Sequence, residues 1–341
     1  MRELNYAAAI REAHQQLLES DKRVFVIGQG LWSPWYAGSS LLDLDRHFGR
    51  ERIIDSPICE NATTGAAIGA AIAGMRPIVF HPRMDFMLLA VDPIVNQAAN
   101  WSYVFGGRMS VPVVIRAVIN RRGEQGAQHS QALHAMYAHV PGLKVVMPGT
   151  PQDAKGLLIA AVRDENPVLY IDDRALYEQV GDVAEEMYET PIGKAAVRRE
   201  GTDVTIVAVS AAVRQACDAA EELATHGIDA EVIDLRSIKP WDKQCVIRSV
   251  EKTGRLLIVD PAWRTCGVAG EISATVCEEA FHSLQAPIQR VCLPDAPAPS
   301  SRVLEEAYYP TAESVVAAAQ QLVRPSRANL ISIRGCDKIP A

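Results

Sequence analysis

Most of the features that would give a quick answer are missing from this chain. No apolar run approaches the ~20 residues needed to cross a bilayer, so no membrane passage is expected. The opening residues, Met1-Arg-Glu-Leu-Asn-Tyr6, read straight into an amphipathic helix and lack the apolar centre of a secretory leader. Excess positive charge is missing too. The net charge is −7, which leaves no broad basic surface for nucleic acid. Seven cysteines, at 59, 217, 245, 266, 277, 292 and 336, form no Cys-x-x-Cys pair and are odd in number. They argue for free thiols in a reducing cytoplasm and against a disulfide frame or a zinc site.

Phosphate-binding and nucleophile motifs are equally scarce. Gly28-Gln-Gly30 opens like a dinucleotide fingerprint but continues Leu-Trp-Ser-Pro-Trp, which does not make a helix start that cradles pyrophosphate. There is no Walker loop and no Gly-x-Ser-x-Gly elbow. His134 and His139 are five apart and miss the helix-face spacing of a zinc pair. Internal repeats, low-complexity tracts and coiled-coil heptads are absent. A phosphate-bearing cofactor, if one is used, is not anchored here by its phosphates.

What remains is a globular pattern. The chain has 341 residues, 48% apolar and 22% charged, which is room for two domains with real cores. Apolar strand-like runs at 24–28, 77–80, 111–115, 144–147 and 167–171 alternate with helical patterns at 6–19, 62–73, 88–104 and 151–163. A second alternating set follows, with strands at 203–209, 230–235, 255–259 and 288–292. Its helices fall at 211–225, 242–252, 268–282 and 311–323. Short β-branched runs flanked by longer amphipathic segments predict an α/β protein with parallel or mixed sheets covered by helices on both faces. Composition shifts near 173–200, acidic and then basic. The expected division is a first domain over 1–180, a linker over 181–200, a second domain over 201–325 and a tail over 326–341.

One segment concentrates the chemistry: Asp55-Ser-Pro-Ile-Cys-Glu60-Asn-Ala-Thr-Thr-Gly65-Ala-Ala-Ile-Gly69-Ala-Ala-Ile-Ala-Gly74. A single acid, Glu60, stands where an extended run gives way to a helix of Gly, Ala and Ile. Small residues admit another backbone or a flat ligand at close range. A poorly solvated carboxylate needs a partner or a task. An acid complementing the helix dipole ahead of a tightly packed core helix is the plain structural alternative. The segment alone leaves both open.

The rest of the chain narrows this. Ser56-Pro-Ile-Cys-Glu60, Gln128-His-Ser-Gln131, Pro141-Gly-Leu-Lys-Val-Val146, Asp153-Ala-Lys-Gly156 and Arg163-Asp-Glu-Asn-Pro167 occur in that order. Val232-Ile-Asp-Leu-Arg236, Pro240-Trp-Asp242 and Lys252-Thr-Gly-Arg255 follow. In order and spacing the chain resembles the beta subunit of the decarboxylating first component of 2-oxoacid dehydrogenase complexes. The pyruvate, branched-chain and acetoin enzymes belong there, and transketolase is a more distant relative. The similarity runs from about residue 2 to about residue 322.

The resemblance implies a pyrimidine-binding thiamine diphosphate fold followed by a transketolase-type C-terminal domain. It implies a heterotetramer of two alpha and two beta chains. The diphosphate and its magnesium would sit on the alpha subunit, whose Gly-Asp-Gly…Asn motif is missing here. Acyl transfer to a lipoyl acyltransferase component would complete the reaction. Glu60 falls on the catalytic glutamate that hydrogen-bonds the pyrimidine nitrogen and so promotes loss of the thiazolium proton. Ile58 and Phe86 fall on cofactor-contacting positions, Phe86 as an aromatic on the pyrimidine face, although a core Phe would read the same way. His129 matches an active-site histidine near substrate, able to relay protons or to bond an oxyanion. A helix-capping role is its structural alternative. The resemblance also implies a potassium site in some members, matched here by Val113, Ala161, Val162, Asp164 and Asn166.

Two stretches depart from the family. The segment 30–38 is reworded, and the substrate loop reads Ala117-Val-Ile-Asn-Arg-Arg-Gly-Glu-Gln-Gly126. Paired Arg121 and Arg122 suit bidentate binding of a carboxylate or phosphate, on an acidic substrate or a phosphorylated acceptor. Solvated surface arginines would give the same sequence. These departures keep a second reading open, a transketolase-like or acyloin-forming carboligase subunit. A third reading is an interaction scaffold that keeps the fold without the chemistry, which an intact Glu60 and His129 oppose.

Overall fold

The computed structural model describes residues 2–323. Two sheets organise them. The first has seven strands in the order β12-β6-β7-β5-β4-β2-β3. These are β2 (Val24–Gly28), β3 (Ile53–Asp55), β4 (Arg76–His81), β5 (Val114–Ile119), β6 (Lys144–Val146), β7 (Val168–Asp173) and β12 (Ser237–Lys239). All run parallel except β12, which pairs antiparallel with β6. The central strands are buried along their whole length, as in β5, where Val114-Ile-Arg-Ala-Val-Ile119 reads as a near-continuous apolar run. Its one exception, Arg116, is fully buried but paired with Asp172 on β7 at 2.8 Å, and it also donates to Ser40. That pairing is the condition under which a charge survives inside.

Helices cover both faces. α1 (Tyr6–Ser20) starts at Asn5, whose side chain accepts from Ala8 N at 2.8 Å. It packs on α6 (Pro151–Arg163), which is capped by Thr150 and has proline at its first position, where no N–H is missed. α3 (Glu60–Ile72) lies on the other face, against β4. Two short helices, α2 (Leu44–Phe48) and α5 (His134–Ala138), stand in the loops.

The second sheet has the order β14-β13-β10-β11-β9. It comprises β9 (Ala196–Arg199), β10 (Val204–Ala208), β11 (Ala230–Asp234), β13 (Leu256–Trp263) and β14 (Gln289–Leu293), with β9 alone antiparallel. Its helices are α7 (Ala212–Thr225), α8 (Lys243–Thr253), α9 (Val268–Ala280), α10 (Arg302–Tyr308) and α11 (Ala312–Val323). The α/β architecture with two sheets therefore stands as the sequence implies. No described helix is long and apolar enough to cross a membrane.

Three expectations shift. The helix over 88–104 is broken into a tight turn at Phe86–Ala90, a wider π turn at Pro93–Ala98 and α4 (Ala99–Val104). Pro93 has no N–H to give the preceding turn, and Ala99 N reaches back five residues to Ile94 O. The strand over 111–115 starts instead at Val114, because Pro112 has no N–H to donate to a ladder. The linker region is ordered as two strands: β8 (Val180–Val183) pairs with β1 (Arg2–Asn5), and β9 joins the second sheet. The tail over 326–341 lies outside the described residues.

A candidate active site at the carboxyl ends of the first sheet

Parallel strands bring their carboxyl ends to one edge, where ligands of open α/β sheets bind. Gly28, Asp55 and Phe80 stand in register there, at or next to the ends of β2, β3 and β4. A Cβ on Gly28 would lie 2.3 Å from the Phe80 carbonyl, so only glycine lets these strands end so close together. The Asp55 carboxylate accepts from Gly30 N at 2.7 Å and Leu31 N at 3.3 Å. This turns the chain after β2, and Gln29 Nε2 donates to Glu60 Oε1 at 3.0 Å.

Glu60 opens α3 and is 3% exposed. The helix dipole favours a negative charge at this end. No described cation pairs with the carboxylate, and its hydrogen-bond donor is the neutral Gln29 amide. One helical turn on, Thr64 Oγ1 lies 3.0 Å from Nε2 of His81, the last residue of β4. Burial holds the His81 imidazole well below its ordinary value, at about 4, with the Glu60 charge pulling the other way.

Phe86 and His129 meet edge to face, with ring centroids 5.3 Å apart and planes at 76°. Both are half-buried. The loop that carries His129 is pinned at three points: Ser130 Oγ donates to Asn120 O at 3.3 Å, Gln131 N to Asp85 Oδ1 at 3.2 Å, and Leu133 N approaches Met84 Sδ. The structure thus brings Glu60 to one part of this edge and the Phe86–His129 pair to another part of the same edge. Ile58 stands outside α3 with 83% of its surface exposed.

Two groups of expected residues are used differently. Arg121 is only 7% exposed, forms an ion pair with the buried Asp173 and lies 5.7 Å from the Tyr309 ring. It locks the loop to β7 and to the second domain and is not free to meet substrate. Arg122 is exposed, with a backbone φ of +65°, and has no ion-pair partner among the described residues. The potassium expectation also needs correction. Val113 O accepts from Val168 N, and Ala161 O from Asp164 N. Arg76 Nη1 donates to Val162 O at 2.8 Å and Asp164 O at 3.2 Å. The Asp164 carboxylate pairs with Lys144 and takes Asn166 N at 2.9 Å. The oxygens that a potassium ion would take thus already accept from backbone N–H groups, from the Arg76 guanidinium or from the Lys144 ammonium.

Gln29, Thr64, His81 and Asp85 were not anticipated from the sequence. The available signal was position: Gln29 and His81 sit at or just past the carboxyl ends of predicted parallel strands.

Comparison with known proteins identifies the two domains. Residues 2–179 match the family model of the transketolase pyrimidine binding domain, and 193–315 that of the transketolase C-terminal domain. The beta subunit of acetoin:2,6-dichlorophenolindophenol oxidoreductase from Cupriavidus necator is 43% identical over 95% of this chain and 98% of its own length. The chain belongs to this beta-subunit family, built from transketolase domains. The pyruvate dehydrogenase E1 component subunit beta of Rickettsia felis is likewise 43% identical, over 92% of this chain and 96% of its own. A solved structure described as a split gene transketolase, inactive beta4 tetramer, superposes with a TM-score of 0.77 at 24% identity. It covers 95% of this chain and 99% of that one, and at this identity it speaks for the fold alone.

Proposed function

We propose that this chain is the beta half of a thiamine diphosphate-dependent 2-oxoacid dehydrogenase, supplying the pyrimidine side of an active site that an alpha subunit completes. The observation that carries the proposal is Glu60, a buried carboxylate at the first turn of a small-residue helix, held by a neutral amide and paired with no cation among the described residues. Such a group suits a shared proton with a heterocyclic nitrogen. The residues fit the pyrimidine half of the coenzyme: a carboxylate at depth, an aromatic ring at Phe86 and close-packed glycine backbone at Gly28. When bound, the coenzyme supplies the electron sink that lets a 2-oxoacid lose carbon dioxide.

This chain's residues then have separable tasks. Glu60 holds a proton at the pyrimidine nitrogen, and Gln29 fixes which way the carboxyl points. Phe86 and Ile58 give apolar contact to the ring. His129, propped on Phe86, offers its ring nitrogens to the substrate's developing charge. Arg122 remains available to an acidic group on the substrate.

The partner follows from the surface beside Glu60. α3 exposes Asn61, Ala62, Gly65, Ala66 and Gly69, and nothing lies within 4 Å of a Cβ placed on either glycine. Leu88, Leu89, Tyr103 and Val104 are exposed among the apolar residues that follow β4. A smooth face of small residues with exposed apolar side chains on the segments packed beside it suits close approach by another subunit. The proposed assembly has two alpha and two beta chains. The alpha subunit carries the diphosphate and magnesium, and a lipoyl acyltransferase receives the acyl group. Reconstitution tests this. The chain alone should decarboxylate no 2-oxoacid, and adding an alpha subunit with thiamine diphosphate and magnesium should restore turnover. Turnover by the isolated chain would refute the shared site.

A further inference from the structure

His81 belongs to no role assigned so far. It ends β4, is 1% exposed, and touches Thr64 on the helix that Glu60 opens. Thr64 is fully buried and four residues after Glu60, so the two side chains share one face of α3, a turn apart. A buried threonine–imidazole hydrogen bond is a demanding way to join a helix to a strand. Two apolar side chains of the same volume would pack without the desolvation that both polar groups undergo. A helical threonine also has a local alternative, since its hydroxyl often turns back to the carbonyl four residues earlier, here that of Glu60. In this chain the hydroxyl goes to His81 instead. The carboxylate of Glu60 acts on this imidazole, and burial keeps the ring neutral.

We propose that His81 is a positioning residue for Glu60. Through Thr64, one turn beyond Glu60, it clamps α3 against the end of β4. The clamp fixes the carboxylate's approach to its ligand. The neutral ring contributes polarity without a second charge that would compete for the proton Glu60 holds. The ligand in this statement rests on the proposed function, whereas the coupling between His81 and Glu60 does not.

The test has two arms. In the first, the full chain is labelled with 15N in its histidine rings and His81 is titrated by NMR without coenzyme, in wild type, Glu60→Gln and Thr64→Val. The expected result is a ring that stays neutral to at least pH 5. Its pKa should fall further in Glu60→Gln, because the anion that raised it is gone, and the Nε2 resonance should shift in Thr64→Val. Indifference of His81 to both substitutions would overturn the proposal. In the second arm, exchange of the thiazolium proton for deuterium is measured in the reconstituted complex for Thr64→Val, His81→Phe and the double variant. Each single change should slow exchange roughly three- to ten-fold, the effect of one neutral hydrogen bond. The double change should add little, since both remove the same contact. Coenzyme affinity should be unchanged. Wild-type exchange rates in Thr64→Val, which keeps both shape and histidine, would also overturn the proposal. A complex that bound no coenzyme would defeat the proposed function and leave the NMR arm to decide on His81.

Discussion

The two sheets are built alike and finished differently. Both are mainly parallel, and both carry acids near the carboxyl ends of their strands. In the second sheet those acids are closed off. Asp234, the last residue of β11, takes Arg198 at 2.7 Å and Arg236 N at 3.0 Å. Asp260, within β13, meets His134 of the first domain at 3.0 Å. Burial still pushes the Asp234 carboxyl up to about 6, against the pull of Arg198, with the Asp153 charge adding to the rise. In the first sheet Asp172 and Asp173, at the end of β7, are closed off in the same way by Arg116 and Arg121, whereas the part of the edge beside β2 and β4 is left open. Among the described residues Glu60 has an amide but no cation, burial holds His81 neutral, and nothing packs on the α3 glycines beside them. The lesson is that the end of a parallel strand offers a place for chemistry, and unmatched polarity decides whether it is used. The second sheet spends the same geography on joining the two domains.

The largest effect that tests this contrast is at Glu60. Glu60→Gln should keep the fold and its unfolding midpoint while lowering turnover of the reconstituted complex by about 100-fold or more, within the range for a lost acid–base group. Equal loss of stability and activity would make Glu60 one more structural acid. Arg121→Ala comes next. It strands Asp173 in the interior and should cost about 3 kcal/mol in urea unfolding. A raised KM at unchanged stability would restore Arg121 to the substrate. Asp260→Ala should cost about 2 kcal/mol, the penalty of a buried unpaired partner at His134, with turnover per folded molecule retained.

Acid should sharpen the contrast further. Burial holds His81 at about 4 and His14 at about 3, against an ordinary value of 6.5, with the Arg116 charge adding to the drop at His14. Their folded pKa values lie below the unfolded ones, so protons favour the unfolded chain. Stability from these groups is unaffected above pH 6.5 and declines as pH falls below it, by about 1.4 kcal/mol per pH unit for each ring until its folded pKa is reached. Urea midpoints at pH 7, 6 and 5 should show a decline that is shallower in His14→Gln. The smallest effect concerns potassium. Replacing it with choline at constant ionic strength should leave the melting temperature of the chain unchanged, because Arg76 and Lys144 already serve that turn.

The architecture was readable wherever hydrophobic period and turn residues agreed. β2, β10, β11, α6 and α7 lie close to where alternation and capping residues put them. β1, β8 and β9 were not readable, because short, partly exposed strands leave no clear period. β12 is three residues long, and its pairing with β6 is set by tertiary contact. Glu60 and His129 became candidates through the motifs that carry the resemblance, because the Glu60 segment alone reads equally well as a helix-start acid. Arg121 misled because sequence shows two adjacent guanidinium groups and not that one turns inward to Asp173 while its neighbour faces out. Thr64 and His81 are seventeen residues apart, and no spacing rule links a helix position to a strand end across a turn.

The pairing of Ser237–Lys239 with β6 bears on how this protein came to be assembled. Three residues from the later part of the chain complete the border of a sheet whose other strands all come from the earlier part. The earlier part therefore lacks one border strand of its own sheet, while the later part holds all five strands of the second sheet and one more. A gene cut near codon 190 would yield a leading fragment with β6 bare along one side, ready to pair with any passing strand. The trailing fragment would carry a ribbon with nowhere to dock. Modular exchange of the second domain between relatives is thus constrained by a sliver of backbone far from any chemistry.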